Sequence, residues 1–512
     1  MNRRHLLRLL GGSALAGVTG CSGPGPETGL AASSRSDPGG LDIEPDVELE
    51  LTAAPDEVSI VSGAPTHVWR FSGRVLRGPD GTLEDLPGSY LGPVMRLRRG
   101  QRVRVRLANR IGEESIVHWH GLDVPADADG HPRLAIGHGE SYVYDFEVAN
   151  RAGTYWYHPH PHRRTGPQVY AGLAGLLLVS DDDEAALGLP SGESEILCVL
   201  QDRQFDADNQ LIYAADMGTQ VNGFLGDRLL VNGRFGATRD VDRGWYRVRL
   251  LNGSNARLYR LAWSDGRPMT IIGGDGGLLE RPIERRELTL APGQRADTLI
   301  DLTATAGGAE VHLDSLAFPE ADAGGGMMGM NPSLPNGAPL RALTLRVGDR
   351  PGMAFAVPAR LPSFDPSWSA SAGSRIRTVP LAFQRMQWTL DGRTFSMTDA
   401  AAEERVTAGS THAWEFANQV GSMGMGMGGD AAHPIHIHGR QFRILGRTGG
   451  RGNQLRAGIV DDGWQDTTLV LPGETVRVQV TFSSHPGDFL YHCHILEHED
   501  MGMMRNFRII PS

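Results

Sequence analysis

The chain has 512 residues, 40% of them hydrophobic and 21% charged, with a formal net charge of −11. That length exceeds what one core organises and suits two to four domains. The acidic balance carries no nucleic-acid footprint, so no nucleic-acid partner is expected; 67 glycines and 31 prolines with few aromatics favour short strands and turns over long helices.

The chain opens "MNRRHLLRLLGGSALAGVTGC". Paired Arg3 and Arg4 before a short apolar run read as an export signal of the twin-arginine kind over residues 1–21. The glycine-interrupted stretch 6–18 is too short to span a membrane as a helix. "VTGC" (18–21) makes Cys21 a candidate lipid anchor; the alternative is an ordinary signal that contains a cysteine. The first twenty residues carry three arginines and no acid, so a chain without them has a net charge of −11 − 3 = −14. A periplasmic or cell-envelope monomer is expected, with the Gly-, Pro- and Ser-rich residues 22–45 as a flexible tether.

Alternating strands then recur. "QRVRVRLANR" (101–110), "SYVYDFEV" (141–148) and "AGLLLVSD" (174–181) fall in a first block, 46–185. "EILCVLQD" (195–202), "YRVRLLNG" (246–253) and "LAPGQRADTLIDL" (290–302) fall in a second, 190–350. Residues 351–374, rich in Pro, Ser and Gly, read as a linker. The third block, 375–512, holds "HAWEFAN" (412–418), "QFRILGR" (441–447) and "ETVRVQVTF" (474–482). "VRVRLAN", "YRVRLLNG" and "THAWEFAN" share one theme, an alternating strand ending in Asn. Three all-β sandwich domains are predicted. Cys198, inside an apolar strand, reads as a packing cysteine.

Ten of the eighteen histidines lie in four clusters: "HWH" (118–120), "HPH" (158–160), "HPIHIH" (433–438) and "HCHILEH" (492–498). A single His-x-His says little, since a lone histidine is usually a core or surface residue. Four clusters confined to the first and third blocks say much more. On a strand, residues i and i+2 share a face. The pairs 118/120, 158/160, 436/438 and 492/494 can therefore converge as eight imidazoles, enough for about three ions of copper, zinc, iron or nickel. By the same alternation Cys493 points away from His492 and His494, into a second site. His433, His498 and a methionine near 503 are candidates to complete it. Two histidines, one cysteine and a weak methionine make a blue-copper set; zinc also accepts Cys and His, but a thioether is an odd zinc ligand.

With "HWHGLDVPADADG", "GTYWYHPHPH", "VYAGLAGLLLV" and "HPIHIHGRQFRI" alongside, the four clusters resemble the copper motifs of the multicopper oxidase family, over essentially the whole chain from residue 46. The resemblance implies an all-β fold of three cupredoxin-like Greek-key β-sandwich domains and four copper ions. His433, Cys493 and His498, with Met503 axial at ten residues after the cysteine, would hold the type 1 copper. His118 and His436 would hold the type 2 copper. His120, His158, His160, His438, His492 and His494 would hold two type 3 coppers, three to each. His162 continues the alternation but is supernumerary; His131, His138, His412 and His485 read as structural or surface residues.

The implied reaction takes one electron from each of four substrate equivalents, passes them through Cys493, and reduces dioxygen to two waters. Asp129 in "PADADG" and Glu499 in "LEHED" match the family's proton-relay acids, a role compatible with orienting ligand imidazoles. The reductant is a small molecule or a metal ion: phenols and aromatic amines in a laccase-like enzyme, or cuprous ion in a metallo-oxidase. Two glycine-rich loops bear on the second. "GGGMMGM" (324–330) and "GSMGMGMGG" (421–429) hold six of sixteen methionines. Met423, Met425 and Met427 lie just before His433 and offer thioethers that suit Cu(I), or simply cover apolar surface. Some relatives keep the fold, lose the copper ligands and act as structural cell-division factors; the complete set of histidines argues against that role here.

Overall fold

The computed structural model describes residues 34–35, 44–214, 216–324, 334–362, 376–419, 431–450 and 452–512. The export signal, Cys21 and the 421–429 methionine loop lie outside the described residues, as do residues 325–330 of the other methionine loop. Six sheets form three face-to-face pairs, each closing over its own apolar cluster. These are three cupredoxin-like sandwiches. The longest helix among the described residues, Thr165–Ala171, has 7 residues, and no helix is long and apolar enough to cross a membrane.

Period-two alternation produces the sheets directly. In Arg102–Asn109 the side chains of Val103, Val105 and Leu107 are buried while the arginines between them face outward. Each domain repeats one arrangement. A strand lies parallel to a second strand that is antiparallel to a third: Val47–Val58, Arg102–Asn109 and Ser141–Glu147 in the first domain; Glu195–Arg203, Trp245–Asn252 and Arg295–Asp301 in the second; Ile376–Gln384, Thr411–Asn418 and Glu474–Thr481 in the third. The repeated asparagine has a shared job. Asn109 Nδ2 donates to the carbonyls of Glu113 and Ile136, Asn252 Nδ2 to those of Arg257 and Leu290, and Asn418 Nδ2 to those of Ala431 and Val470. Each ties a strand end to two incoming segments whose carbonyls are otherwise costly to bury.

The tether contains one paired segment, and the start of the linker is packed. Ser34–Arg35, within the supposed tether, pairs parallel with Ser141 and Tyr142. The supposed linker packs on the middle domain through Leu361, whose N–H donates to the Glu280 carbonyl, and through Phe355 and Val357. Its apolar residues bury area that a free linker would leave in water. Cys198 is a buried core residue.

Candidate metal centres

Eight imidazoles meet between the first and third domains. In the first, Val117–His120 pairs antiparallel with Gly153–Pro159, which sets His118 opposite His158. In the third, His433–Ile437 pairs with Gly487–Cys493, which sets His436 opposite His492 and Ile435 opposite Cys493. His160, His438 and His494 each follow one position after their strand. All eight rings are fully buried. His118 stacks on His438, and His120 on His436, each with centroids 3.7 Å apart.

Ring nitrogens group the imidazoles. Those of His160, His438 and His492 lie within 4.8 Å of one another, as do those of His118, His436 and His438. His120 and His158 form a further group with His118, and the His494 ring lies 5.0 Å from that of His120 and 5.4 Å from that of His158.

Fixed oxygens decide which nitrogen looks inward. His118 Nδ1 donates to the Asp129 carbonyl at 2.6 Å, and His436 Nδ1 to the Asp466 carbonyl at 2.8 Å. Nδ1 of His158 donates to the Pro159 carbonyl, and that of His492 to the Cys493 carbonyl. Nε2 in each ring then bears a lone pair. Two such lone pairs, on His118 and His436, face each other at 3.3 Å. Two acceptors at that distance repel unless a cation lies between them, and imidazole donors suit copper. Burial holds His118, His120, His160, His438, His492 and His494 well below the ordinary imidazole pKa, with neighbouring imidazoles adding to it. Burial lowers His158 to about 3. Neutral imidazole is the metal-binding form, so the residues present fit several bound ions.

The second site lies on the opposite face of the same strand. Cys493 Sγ is 3.5 Å from His433 Nδ1 and 3.6 Å from His498 Nδ1, all three buried. His498 Nε2 donates to the Val221 carbonyl at 2.9 Å, which leaves its Nδ1 lone pair toward the sulfur. Trp388 packs against both rings and donates Nε1–H to the same carbonyl. Buried Met503 is tied in by backbone: its N–H donates to the His498 carbonyl and its carbonyl accepts from Cys493 N–H. A cysteine sulfur with two neutral imidazoles, and Met503 in the same buried cluster, is a donor set that fits copper.

The two acids flank the imidazole cluster. Asp129 Oδ2 is 2.8 Å from His438 Nδ1, and Asp129 Oδ1 is 3.6 Å from His118 Nδ1. Glu499 Oε1 accepts from Thr165 Oγ1 at 2.6 Å and lies 3.4 Å from His160 Nε2, with Oε2 3.2 Å from His492 Nδ1. Burial pushes both carboxyls well above their ordinary range. His162, half-buried against Phe395, stays outside the cluster; His131 is bonded to Asn506 and His138 to the Ile111 carbonyl.

Sequence reasoning missed Asp466, Arg295 and Asp275, which are fully or almost fully buried and join all three domains beside His120. The available signal was a charged residue inside an apolar stretch, as in "IIGGDGGLL" and "RADTLID". It also missed the cover over the cysteine site. Helix Met217–Asn222 supplies Val221, and a cavity of about 450 Å³ opens beside it, walled by Met217, Met386, Met501, Glu497 and Asp500.

Three cupredoxin-like domains, with an imidazole cluster between the first and third and a cysteine–histidine site beside it, are the arrangement of a copper oxidoreductase. The family pattern described as Multicopper oxidase matches residues 77–184 and 374–512. The multicopper oxidase mco of Staphylococcus aureus is 31% identical over 423 residues, 82% of this chain and 83% of that protein. A Bacillus subtilis laccase is 28% identical over 506 residues, covering 86% and 90%. The cell division protein FtsP of Xenorhabdus nematophila is 32% identical over 437 residues, covering 83% and 84%. Among solved structures, the McoA multicopper oxidase of the hyperthermophile Aquifex aeolicus matches at 34% identity and a TM-score of 0.76, over 91% of this chain and 96% of that one. The chain belongs to the multicopper oxidase family.

Proposed function

We propose that this oxidoreductase takes single electrons from four equivalents of a small organic reductant, a phenol or aromatic amine, and delivers them to dioxygen, which leaves as two waters. In this reading His433, Cys493, His498 and Met503 hold a type 1 copper and His118 and His436 a type 2 copper. His120, His158 and His494 hold one type 3 copper, and His160, His438 and His492 the other. When bound, the four coppers supply one-electron redox capacity at the sulfur-bearing site and the binding and reduction of dioxygen at the imidazole cluster.

The carrying observation is Cys493. Its sulfur sits with His433 and His498, while its backbone runs one residue in each direction to His492 and His494. Those two rings belong to different halves of the imidazole cluster, so one covalent path serves both. Reduction of dioxygen to water consumes four protons as well. Asp129 and Glu499 hold protons at buried carboxyls within reach of His438, His160 and His492, and Thr165 steadies Glu499. The complete, convergent donor set supports an enzyme over a structural role.

The cavity beside Met217–Asn222 is the proposed reductant site; about 450 Å³ suits one aromatic molecule. A second reading, cuprous ion as reductant, is supported by Met217, Met386 and Met501 alongside Glu497 and Asp500 on its walls, because thioethers favour Cu(I). Side-by-side kinetics on a phenol and on Cu(I) test the choice. Met217→Ala with Met386→Ala should raise KM for Cu(I) several-fold more than for the phenol if cuprous ion is the reductant. An equal change for both supports the organic reductant. The basic N-terminal stretch supports export to the periplasm or cell envelope, with Cys21 as a lipid anchor; retention of a Cys21→Ser protein in the membrane fraction would remove the anchor.

A further inference from the structure

The middle domain gives no histidine to the cluster, yet it reaches into it. Arg295 begins the strand Arg295–Asp301 and is fully enclosed by fixed oxygens. Its Nε donates to the Thr154 carbonyl of the first domain at 3.0 Å, and its Nη1 and Nη2 to the Gly293 and Asp275 carbonyls. The same two nitrogens grip the third domain's Asp466 as a fork, Nη1 to Oδ1 at 2.7 Å and Nη2 to Oδ2 at 2.5 Å. Asp275 completes the frame: Oδ1 accepts from Arg295 N–H at 2.7 Å, and Oδ2 accepts from the N–H groups of Asp466 and Thr467. Asp466 therefore cannot rotate without breaking a buried charge-assisted network.

Asp466 faces two cluster imidazoles with two different atoms. Its backbone carbonyl accepts from His436 Nδ1 at 2.8 Å, and its carboxylate Oδ1 lies 3.0 Å from His120 Nε2. These two rings stack on each other, 13° from parallel. The consequence for His120 is opposite to that for the rings pinned through Nδ1. With Nε2 engaged outward, its Nδ1, buried and without a partner, is the nitrogen left for the cluster. The site is shaped for this ring position. A Cβ on Gly121, at φ +92°, would stand 2.5 Å from Asp466 Oδ2, and one on Gly293, at φ +84°, would stand 3.2 Å from His120 Cε1.

We propose that Asp466, clamped by Arg295 and Asp275 of the middle domain, is a positioning residue that locks His120 as the Nε2–H tautomer with Nδ1 toward the cluster, while its carbonyl locks neighbouring His436 in the opposite sense. The middle domain thereby sets the geometry of a centre to which it gives no imidazole. This deepens the proposed function and rests on its reading of His120 and His436 as ligands. The arrangement is the second partner that metal-bound imidazoles need, whose removal costs about 10–100-fold in metal affinity or activity.

The test has two arms. In the copper-free full chain with isotope-labelled histidine, NMR should report His120 as the Nε2–H tautomer, identified by its loss in His120→Gln. Asp466→Asn should abolish that state, and Arg295→Lys, which keeps the charge but loses the fork, should weaken it. Thr467→Val should leave it in place, although Thr467 Oγ1 also lies 3.3 Å from His120 Nε2. In the copper-loaded chain, Asp466→Asn should lower the near-ultraviolet band of the coupled pair and its copper affinity about 10–100-fold, with the blue band unchanged. An unchanged His120 tautomer in Asp466→Asn overturns the proposal, as does equal loss in Thr467→Val. A wild-type chain that takes up copper without a near-ultraviolet band would sink the ligand reading instead, and the tautomer arm would still stand.

Discussion

The imidazole cluster takes four rings from the first domain and four from the third, whereas His433, Cys493, His498 and Met503 all come from the third. The cluster exists only where the two sandwiches dock, and two of its rings meet carboxylates from across that interface: Asp129 of the first domain on His438, Asp466 of the third on His120. The cysteine site is local. Two paired strands, His433–Ile437 and Gly487–Cys493, one short helix and the turn after it bring its residues together, and the Val221 carbonyl of the middle domain closes it from outside. In the proposed reading, the centre that binds dioxygen is the one that is distributed and rigidly framed. The centre proposed to take single electrons is compact, and its neighbours Glu497 and Met501 also wall the cavity.

That contrast can be broken from either side. The largest effect should come from Asp129→Asn, which weakens the acceptor on His438 and removes an acid together: oxygen reduction should fall about a hundredfold to ten-thousandfold while the blue band is still bleached by reductant at the wild-type rate, checked by stopped-flow absorption. Glu499→Gln should give the same pattern at the lower end, about a hundredfold, since Thr165 can still bond the amide. Met503→Leu should act only on the cysteine site. The blue band and reduction potential should shift while the near-ultraviolet band stays, with turnover altered by less than about tenfold, because the axial thioether tunes the site without holding it. Smallest should be Met217→Ala: a change of a few-fold in KM for the reductant with kcat unchanged, since Met217 is a half-exposed wall of the cavity.

Much of the contrast was legible in the sequence, for a physical reason. Strand alternation is a rigid rule, so His492 and His494 on one face and Cys493 on the other follow from spacing alone. The repeated strand-ending asparagine marked three equivalent sandwiches for a similar reason: one crossover geometry needs one short amide to bridge two carbonyls. What spacing cannot encode is what faces a ring from another domain. Asp466, Arg295 and Asp275 are separated by up to 191 positions and lie at the ends of strands or in the turns beside them, where a charged residue stands out only once its partners are known. Val221 acts through a backbone carbonyl, which carries no residue-type signal.

In the proposed reading Cys493 belongs to one centre and joins it to the other. The absorption spectrum and copper content of the Cys493→Ser full chain, loaded with copper, test it most directly. The blue band and turnover should disappear while the near-ultraviolet band and about three bound ions per chain remain. A variant that keeps its blue colour, or one that folds but loses the near-ultraviolet band with the blue, would contradict it.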